Sequence, residues 1–238
     1  MKIDLRKFEE IVKKGTVGYS IDGLMVKFTK NTVQISMKGI DVISVIKVKN
    51  DILSLKKDDE VELCFIKPIE NVLPYLDVIR NNSVDAVLSD KHLSITDSGY
   101  EVKLLLYHQE SIKHLLFDNK KPNIDFNIDI QLNKELYDYI DRTKRINARL
   151  QNLYICCEKE KLFLQSGDED TSKVKYNFSE YKGEDWVLKF GYRSFISLWG
   201  LLNDNFTLSF HYNSDRALGI MKASLPDDTE TYYLLSKV

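Results

Sequence analysis

Residues 61–76, VELCFIKPIENVLPYL, and residues 186–201, WVLKFGYRSFISLWGL, are two versions of the same local pattern. Each begins with a strand-like apolar run and continues with apolar residues at helical spacing. Three large apolar side chains recur at a constant offset of 125 positions, so that Phe65, Leu73 and Leu76 match Phe190, Leu198 and Leu201. A match of this kind within one chain predicts an internal repeat.

The elements around the first copy define the first half of the chain. Asp4 to Lys14 has apolar residues on one helical face, and Gly15 is expected to end that helix. About four strands are predicted between Val17 and Asn50, followed by the strand at 61–66 and a helix from Pro68 that Pro74 shortens or kinks. Three more strands are predicted at 84–89, 92–96 and 100–107.

The second half repeats this order. A helix at 133–149 precedes strands at 153–158, 161–165, 174–180 and 186–190, and a second helix at 192–202 precedes strands at 206–212, 217–224 and 231–236. The looser stretch between the halves contains Lys120, Lys121 and Pro122. We therefore predict an α+β protein with two similar domains, 1–108 and 128–238, each with two helices on an antiparallel sheet, joined by a connector at 109–127.

Composition excludes several classes of protein. The 238 residues include 43% hydrophobic and 29% charged residues with no low-complexity tract, which indicates a globular chain. Neither a secretory signal nor a membrane-spanning stretch is present in the sequence, so we expect a soluble protein of the cytoplasm. Three cysteines, Cys64, Cys156 and Cys157, are expected to be reduced and buried in strands. The net charge of −2 means that any contact with nucleic acid requires locally gathered cations.

Basic residues are gathered on the outward faces of the two long helices. Arg142, Arg145 and Arg149 share one face with Lys134, opposite Leu136 and Ile140, and only Asp138 dilutes this basic stripe. On the first helix the corresponding residues are Lys2, Arg6, Lys13 and Lys14, diluted by two glutamates, and the fourth helix adds Arg193. One interpretation is that these residues simply form solvated helix faces, which often carry lysine and arginine. The alternative interpretation is that they contact DNA phosphates without regard to base sequence.

Short motifs at the end of the chain suggest a family. The run Tyr232-Tyr233-Leu234-Leu235-Ser236-Lys237-Val238 resembles the Tyr-Tyr-Leu-Ala-Pro-Lys-Ile ending of PCNA proteins, and 33–37 followed by Asp41-Val42 is similar to another clamp segment. Residues 174–178 and 181–184 resemble a strand and turn of phage clamps. The chain thus resembles the DNA polymerase sliding clamps, over its whole length at the level of topology and most closely at its end. The abundance of Lys, Asn and Ile favours a phage member in a bacterial cytoplasm.

The resemblance implies a clamp fold and a head-to-tail homotrimer that surrounds double-stranded DNA without sequence specificity. It places residues 100–107 of one subunit beside residues 173–180 of the next, with contacts from Tyr100, Val102, Leu104, Val174, Tyr176 and Phe178. Heterologous contacts of this type close a ring when the rotation per subunit is correct. The cationic helix faces would then line the hole.

The resemblance also implies a site for hydrophobic peptides of a DNA polymerase and a clamp loader. Its expected residues are Met37, Val42, Leu115, Leu116, Phe117, Ala217, Leu234 and Leu235. Met37 and Val42 are equally compatible with the core, whereas the run 115–117 is expected to be exposed. Ala217 replaces a frequent proline and Leu235-Ser236 replaces Ala-Pro, so peptide preference is expected to differ.

Catalytic signatures are absent from the sequence. Four scattered histidines and three isolated glycines match no metal or phosphate-binding motif, and Asp168-Glu169-Asp170 is better explained as a hairpin loop than as a metal site. We therefore expect no enzyme activity, cofactor or metal. Two other classes stay open: a clamp-like viral transcription or processivity factor that forms no closed ring, and a nuclease using strand carboxylates.

Overall fold

The chain divides into two compact units, and each has its own core. They are an N-terminal unit, Met1–Lys120, and a C-terminal unit, Lys121–Val238. The computed structural model describes residues 1–17, 21–39, 41–56, 59–116, 124–126, 128–131, 134–146, 151–167, 173–182, 184–202, 206–213, 218–227 and 229–236.

The N-terminal unit begins with a short strand and a long helix. After β1 (Lys2–Asp4), helix α1 (Leu5–Thr16) starts where the Asp4 side chain accepts a hydrogen bond from the Lys7 backbone N–H, 3.1 Å away. The elements that follow are β2 (Gly23–Phe28), β3 (Thr32–Lys38), β4 (Val42–Lys49), β5 (Val61–Ile66), α2 (Pro68–Asn71), α3 (Leu73–Leu76), β6 (Ser83–Leu88), β7 (His92–Asp97) and β8 (Tyr100–Leu105).

Antiparallel pairing arranges these strands in two orders, β5-β2-β3-β4 and β1-β6-β7-β8. The apolar face of α1 covers the first group, where the rings of Phe8 and Phe28 lie 6.3 Å apart and those of Phe8 and Phe65 6.4 Å apart. All three phenylalanines are fully buried. The helix is therefore fixed by burial of one face, which leaves its opposite face for solvent or a ligand.

The C-terminal unit repeats this order element by element. It contains β9 (Ile128–Gln131), α5 (Lys134–Ile146), β10 (Asn152–Glu158), β11 (Lys161–Ser166), β12 (Val174–Glu180), β13 (Trp186–Gly191), α6 (Tyr192–Trp199), β14 (Thr207–Asn213), β15 (Leu218–Ser224) and β16 (Glu230–Leu235). Its strand orders are β13-β10-β11-β12 and β9-β14-β15-β16, the counterparts of the two groups in the N-terminal unit. The predicted α+β class and repeat are confirmed.

The long helix of the C-terminal unit packs like its N-terminal counterpart. Leu136 and Ile140 are buried and line one small internal space with Ile155 of β10 and Leu164 of β11. Trp199 of α6 closes the core, and its ring stacks on Phe195 with 5.7 Å between centroids. One face of the β10–β11 hairpin is thus covered by helices.

Several element boundaries differ from those predicted. Helix α1 does not end at Gly15 but continues through Thr16 to a left-handed Val17. A Cβ on Gly15 would lie 3.0 Å from the side chains of both Ile35 and Leu24, so this glycine serves close packing of helix on sheet rather than termination. Three strands, not four, lie between Val17 and Asn50 in the described residues.

The proline within the second predicted helix acts as expected. The helix is split into α2 and α3 at Val72, and Pro74 lies at the start of α3. Proline lacks a backbone donor and disfavours a helical residue before it, so one continuous regular helix is unfavourable here. Val72 and Leu76 nevertheless remain buried.

The three cysteines lie in strands, Cys64 in β5 and the adjacent pair Cys156 and Cys157 in β10, and all are buried. Burial raises the pKa of both Cys64 and Cys156 to about 11. The expectation of strand-buried thiols is therefore confirmed, and these groups are protonated at neutral pH.

Candidate functional surfaces

The outward face of α1 carries cations whose charge is partly balanced. Lys2, Arg6 and Lys13 are exposed and Lys14 is half-buried. Lys13 pairs with Glu9 one helical turn before it, and Lys7 pairs with Asp51 at 2.5 Å. The Lys7–Asp51 ion pair could not be predicted from local spacing, because the two residues lie 44 positions apart in the sequence. The net positive field of this face is weaker than a count of lysines suggests.

The outward face of α5 also carries charge of both signs, because Glu135 and Asp138 are exposed on this helix as well as its cations. Lys134 and Arg142 are exposed, while Leu136, Ile140 and Thr143 lie buried on the opposite side. Arg145 belongs to the same helix, with its side chain outside the described residues. Arg149 also falls outside the described residues, and Arg193 is exposed at the start of α6.

Two strands end the sheet orders and offer backbone edges. In the described chain β8 is the last strand of β1-β6-β7-β8, and β12 is the last of β13-β10-β11-β12. An edge strand presents unpaired N–H and C=O groups that can add another strand. These two strands are the ones for which subunit contact was predicted.

The side chains on these edges require a correction to that prediction. Val102 and Leu104 are buried in their own unit, with 8% and 1% of their surface exposed, because they face its core. Any contact they make with a partner therefore runs through the backbone. Tyr100 is 51% exposed and Val174 is 37% exposed, whereas Tyr176 is half-buried and the Phe178 side chain lies outside the described residues.

The connector begins as a short helical segment that packs on its own unit. It consists of α4 (Gln109–Ile112) and a 3-10 turn (Lys113–Leu115). Ile112 and Leu116 form a buried cluster with Met25 and Cys64, and Leu115 packs against it.

The prediction that residues 115–117 form an exposed run is therefore wrong for the part described. Leu116 is 8% exposed and Leu115 is half-buried, because both cover apolar residues of the sheet. A Cβ on Gly23 would lie only 2.7 Å from the Leu115 Cβ, which shows how closely the segment approaches β2. Phe117 lies outside the described residues.

The other expected peptide-site residues are mostly internal. Met37, Val42 and Leu234 are buried, in line with the alternative that assigned Met37 and Val42 to the core. Leu235 is half-buried at the end of β16, and Ala217 lies outside the described residues. Within the described part of the set, these side chains are thus buried or half-buried and not exposed.

Two further kinds of feature, grouped metal-binding side chains and membrane-crossing helices, were sought in the part of the chain that the structure describes. Within the described ranges, no group of three or more His, Cys, Asp or Glu side chains is suitable for holding a metal ion. The acidic residues 168–170 lie outside those ranges. Among the helices that the structure describes, none combines the length and apolar character required to cross a membrane.

Comparison with known proteins relates the fold to one group of solved structures. The DNA polymerase sliding clamp of Bacillus subtilis matches 100% of this chain and 64% of its own length, with a TM-score of 0.71 and 15% identity. The H. pylori beta clamp bound to a DNA ligase peptide matches 100% of this chain and 66% of its own, with a TM-score of 0.66 and 13% identity. The A. fulgidus PCNA bound to the C-terminal region of FEN-1 matches 100% of this chain and 97% of its own, with a TM-score of 0.67 and 11% identity.

The chain thus spans just under two thirds of the bacterial clamps and nearly all of the A. fulgidus PCNA. No protein-family model matches the sequence, and no curated protein sequence matches it either. Identities of 11–15% carry information about the fold and not about activity. The chain has the fold of the DNA polymerase sliding clamps, with antiparallel sheets and few helices in two repeated units.

Proposed function

We propose that this protein is a sliding clamp, a non-enzymatic processivity factor that surrounds double-stranded DNA and holds a DNA polymerase on its template. The observation that carries the proposal is the repeat itself. Both units have the same order of elements, with α2 and α3 together in the place of α6. Each unit also has one long helix that buries an apolar face and directs cations outward.

DNA contact is assigned to the outward faces of α1 and α5. Arg142 and Lys134 on α5, with Arg6 and Lys2 in the N-terminal unit, are exposed and suited to phosphate contacts that ignore base sequence. The ion pairs Lys7–Asp51 and Lys13–Glu9 limit the attraction. A moderate, non-specific attraction suits a protein that must move along DNA, since strong contacts to particular phosphates would hold it in place.

Ring closure is assigned to the edge strands β8 and β12. They belong to different units of the chain, so pairing of β8 in one protomer with β12 in the next is a heterologous contact. Such contacts repeat head to tail, and three protomers would present α1 and α5 three times each around one opening. The proposed assembly is therefore a homotrimer.

Polymerase and clamp loader are the proposed protein partners. The peptides bound to the A. fulgidus and H. pylori clamps support the assignment of replication proteins as partners. Because Leu116 is buried on the N-terminal unit, we assign peptide contact to the later connector and to Leu235, not to Leu116. The cytoplasm is the proposed site of action.

The decisive test combines molar mass with a topological assay. Light scattering in dilute solution is expected to give three times the 27.7 kDa protomer mass. Protein retained on a nicked circular plasmid after gel filtration is expected to be released when the plasmid is linearised. A 27.7 kDa mass at micromolar concentration would favour the clamp-like factor without a closed ring, and equal retention on linear DNA would reject encirclement. DNA cleavage by the pure protein would favour a nuclease.

A further inference from the structure

The later connector, residues 124–126, is attached to the sheet of the C-terminal unit by two contacts just before β9 begins. The His211 Nδ1 on β14 lies 3.0 Å from the Asp125 carbonyl oxygen. A carbonyl oxygen can only accept a hydrogen bond, so this Nδ1 carries the proton and donates it. The Phe126 ring lies 6.4 Å from the Tyr233 ring on β16. We call these two contacts the connector latch.

The connector latch lies on the face of the sheet that is turned away from the helices, which we call the open face. Leu208 and Phe210 of β14 line the small internal space beside α5, so Ser209 and His211 point to the open face. Strand pairing continues this face across the sheet in two rows, one of Ser209, Lys222 and Tyr233 and one of His211, Ile220 and Leu235. Leu235, to which peptide contact is assigned, therefore shares the open face with the latch.

The repeat provides an internal standard for the open face. Strands β1 and β9 each precede the long helix of their unit and pair with the strand that follows the shorter helices. In the N-terminal unit Ile3 pairs with Val84, and in the C-terminal unit Ile130 pairs with Leu208. All four side chains are buried. Counting one residue onward from these pairs gives the N-terminal row equivalent to the one that ends at Tyr233, namely Asp85, Thr96 and Glu101.

The two equivalent rows differ in exposure. All three residues of the N-terminal row are exposed. In the C-terminal row, Ser209 is 6% exposed and Tyr233 is 5% exposed. The same fold thus accepts a solvated polar row at this position, so folding alone does not require an aromatic residue here. Contact with the Phe126 ring gives Tyr233 a specific role in holding the connector.

A connector that is already held favours peptide contact. A peptide that packs on a loose segment must also immobilise it, and that loss of conformational entropy weakens binding. The connector latch removes this loss, because the segment is ordered before the peptide arrives. One hydrogen bond of this kind changes an equilibrium by a factor of about two to ten.

We propose that His211 is a positioning residue for peptide contact, because its hydrogen bond to the Asp125 carbonyl oxygen holds the later connector on the open face next to Leu235. The proposal rests on the proposed function in one respect, the assignment of peptide contact to the connector and Leu235. The latch itself requires neither DNA nor ring closure.

Hydrogen exchange of the full chain tests the latch without a partner. In His211→Ala, backbone amides of residues 124–128 are expected to exchange about two- to tenfold faster. His211→Asn is expected to restore the slow exchange, because the asparagine amide donates from nearly the position of Nδ1. His92→Ala is the matched control, since His92 is also half-buried on a strand but belongs to the N-terminal unit, and it should leave these amides unchanged.

Affinity for a labelled hexapeptide, acetyl-GSLFSG-amide, tests the positioning role. Fluorescence anisotropy is expected to show saturable binding to the unchanged protein with a Kd on the order of 100 μM. His211→Ala should weaken this binding by at least about twofold, and His211→Asn should bind like the unchanged protein. Rescue by asparagine separates positioning from a general loss of packing, which a smaller side chain would not repair.

The outcomes separate the latch from the clamp function. Unchanged exchange in His211→Ala, or equally fast exchange in His211→Asn, would overturn the proposal. So would the absence of saturable binding to the unchanged protein, or equal peptide affinity in His211→Ala. A failed ring assay with the expected exchange and affinity would reject the clamp function and leave the role of His211 assigned.

Discussion

The ring of Tyr139 on α5 stacks on the ring of Tyr176 on β12, with 5.0 Å between centroids. The Tyr139 hydroxyl donates to the Val174 carbonyl oxygen at 2.9 Å, and the Tyr176 hydroxyl lies 3.3 Å from a Glu135 carboxylate oxygen. The helix assigned to DNA contact is therefore attached to the strand assigned to subunit contact. A change at one surface is expected to alter the position of the other.

The stacked tyrosines yield a prediction for the edge strand. Tyr139→Ala removes both the stack and the hydrogen bond, and it is expected to lower the free energy of unfolding by about 2 kcal/mol. Tyr139→Phe retains the stack and is expected to cost about 1 kcal/mol. Backbone amides of residues 174–180 should exchange with solvent faster in the alanine variant than in the phenylalanine variant. Equal exchange rates in the two would show that stacking does not hold the strand.

Charge reversal on α5 tests the DNA assignment. The triple change Arg142→Glu, Arg145→Glu and Arg149→Glu is expected to abolish loading and polymerase stimulation while leaving the molar mass unchanged. For every phosphate that the variant no longer neutralises, the slope of log K against log salt should become shallower by about 0.9. Lys159→Glu, Lys161→Glu and Lys182→Glu together make the same change of charge outside α5 and serve as the control. Unchanged stimulation in the arginine variant would remove the DNA-facing role.

Backbone direction along β8 allows a sharper test of the subunit edge. The Leu106 N–H donates to the Lys91 carbonyl oxygen, on the side where β8 pairs with β7. The N–H groups of successive residues in a strand point to opposite sides, so the N–H of Lys103, three residues earlier, points away from β7. Lys103→Pro removes that outward donor without removing a bond to β7 and is expected to shift the molar mass towards the protomer. Lys103→Ala, which keeps the N–H, should preserve the assembly. If the proline variant retains the full mass, β8 is not the contact.

The sequence was sufficient to predict the repeat because both halves carry the same strong apolar periods. It missed β1 and β9, which have three and four residues and so are too short to show a period. Their partners are also distant, since Ile3 pairs with Val84. Strand pairing over such separations depends on tertiary structure, which local sequence does not specify.

The exposed helix faces could be predicted from the sequence, whereas the packing of the connector could not. Exposure of Arg142 and Lys134 follows from helical geometry, because the opposite face must be buried. Burial of Leu116 could not be inferred, since it depends on Met25 and Cys64 from strands far away in sequence.

Close packing of the connector on β2 gives a stability prediction. Gly23→Ala would place a Cβ 2.7 Å from the Leu115 Cβ and 3.2 Å from its carbonyl oxygen, so the segment must move. We expect the free energy of unfolding to fall by about 1–3 kcal/mol and proteolysis within residues 109–116 to be faster. Gly200→Ala serves as the control, because the nearest atom to its added Cβ lies at 3.4 Å. Proteolysis at the same rate in both variants would show that Leu115 yields without displacing the segment.

Alkaline stability offers a separate test of the buried thiol beneath the connector. Burial raises the pKa of the Cys64 thiol to about 11, whereas the pKa of the same thiol in an unfolded chain is near 9.0. Because the pKa is higher in the folded state, the contribution of the protonated Cys64 thiol to the free energy of unfolding is complete below pH 9. It is lost as the pH rises towards 11. The free energy of unfolding should therefore fall more steeply over this range in the unchanged protein than in Cys64→Ala, by up to about 1.4 kcal/mol per pH unit. Chemical denaturation at several pH values measures both slopes, and parallel slopes would mean that the thiol is hydrated in the folded state.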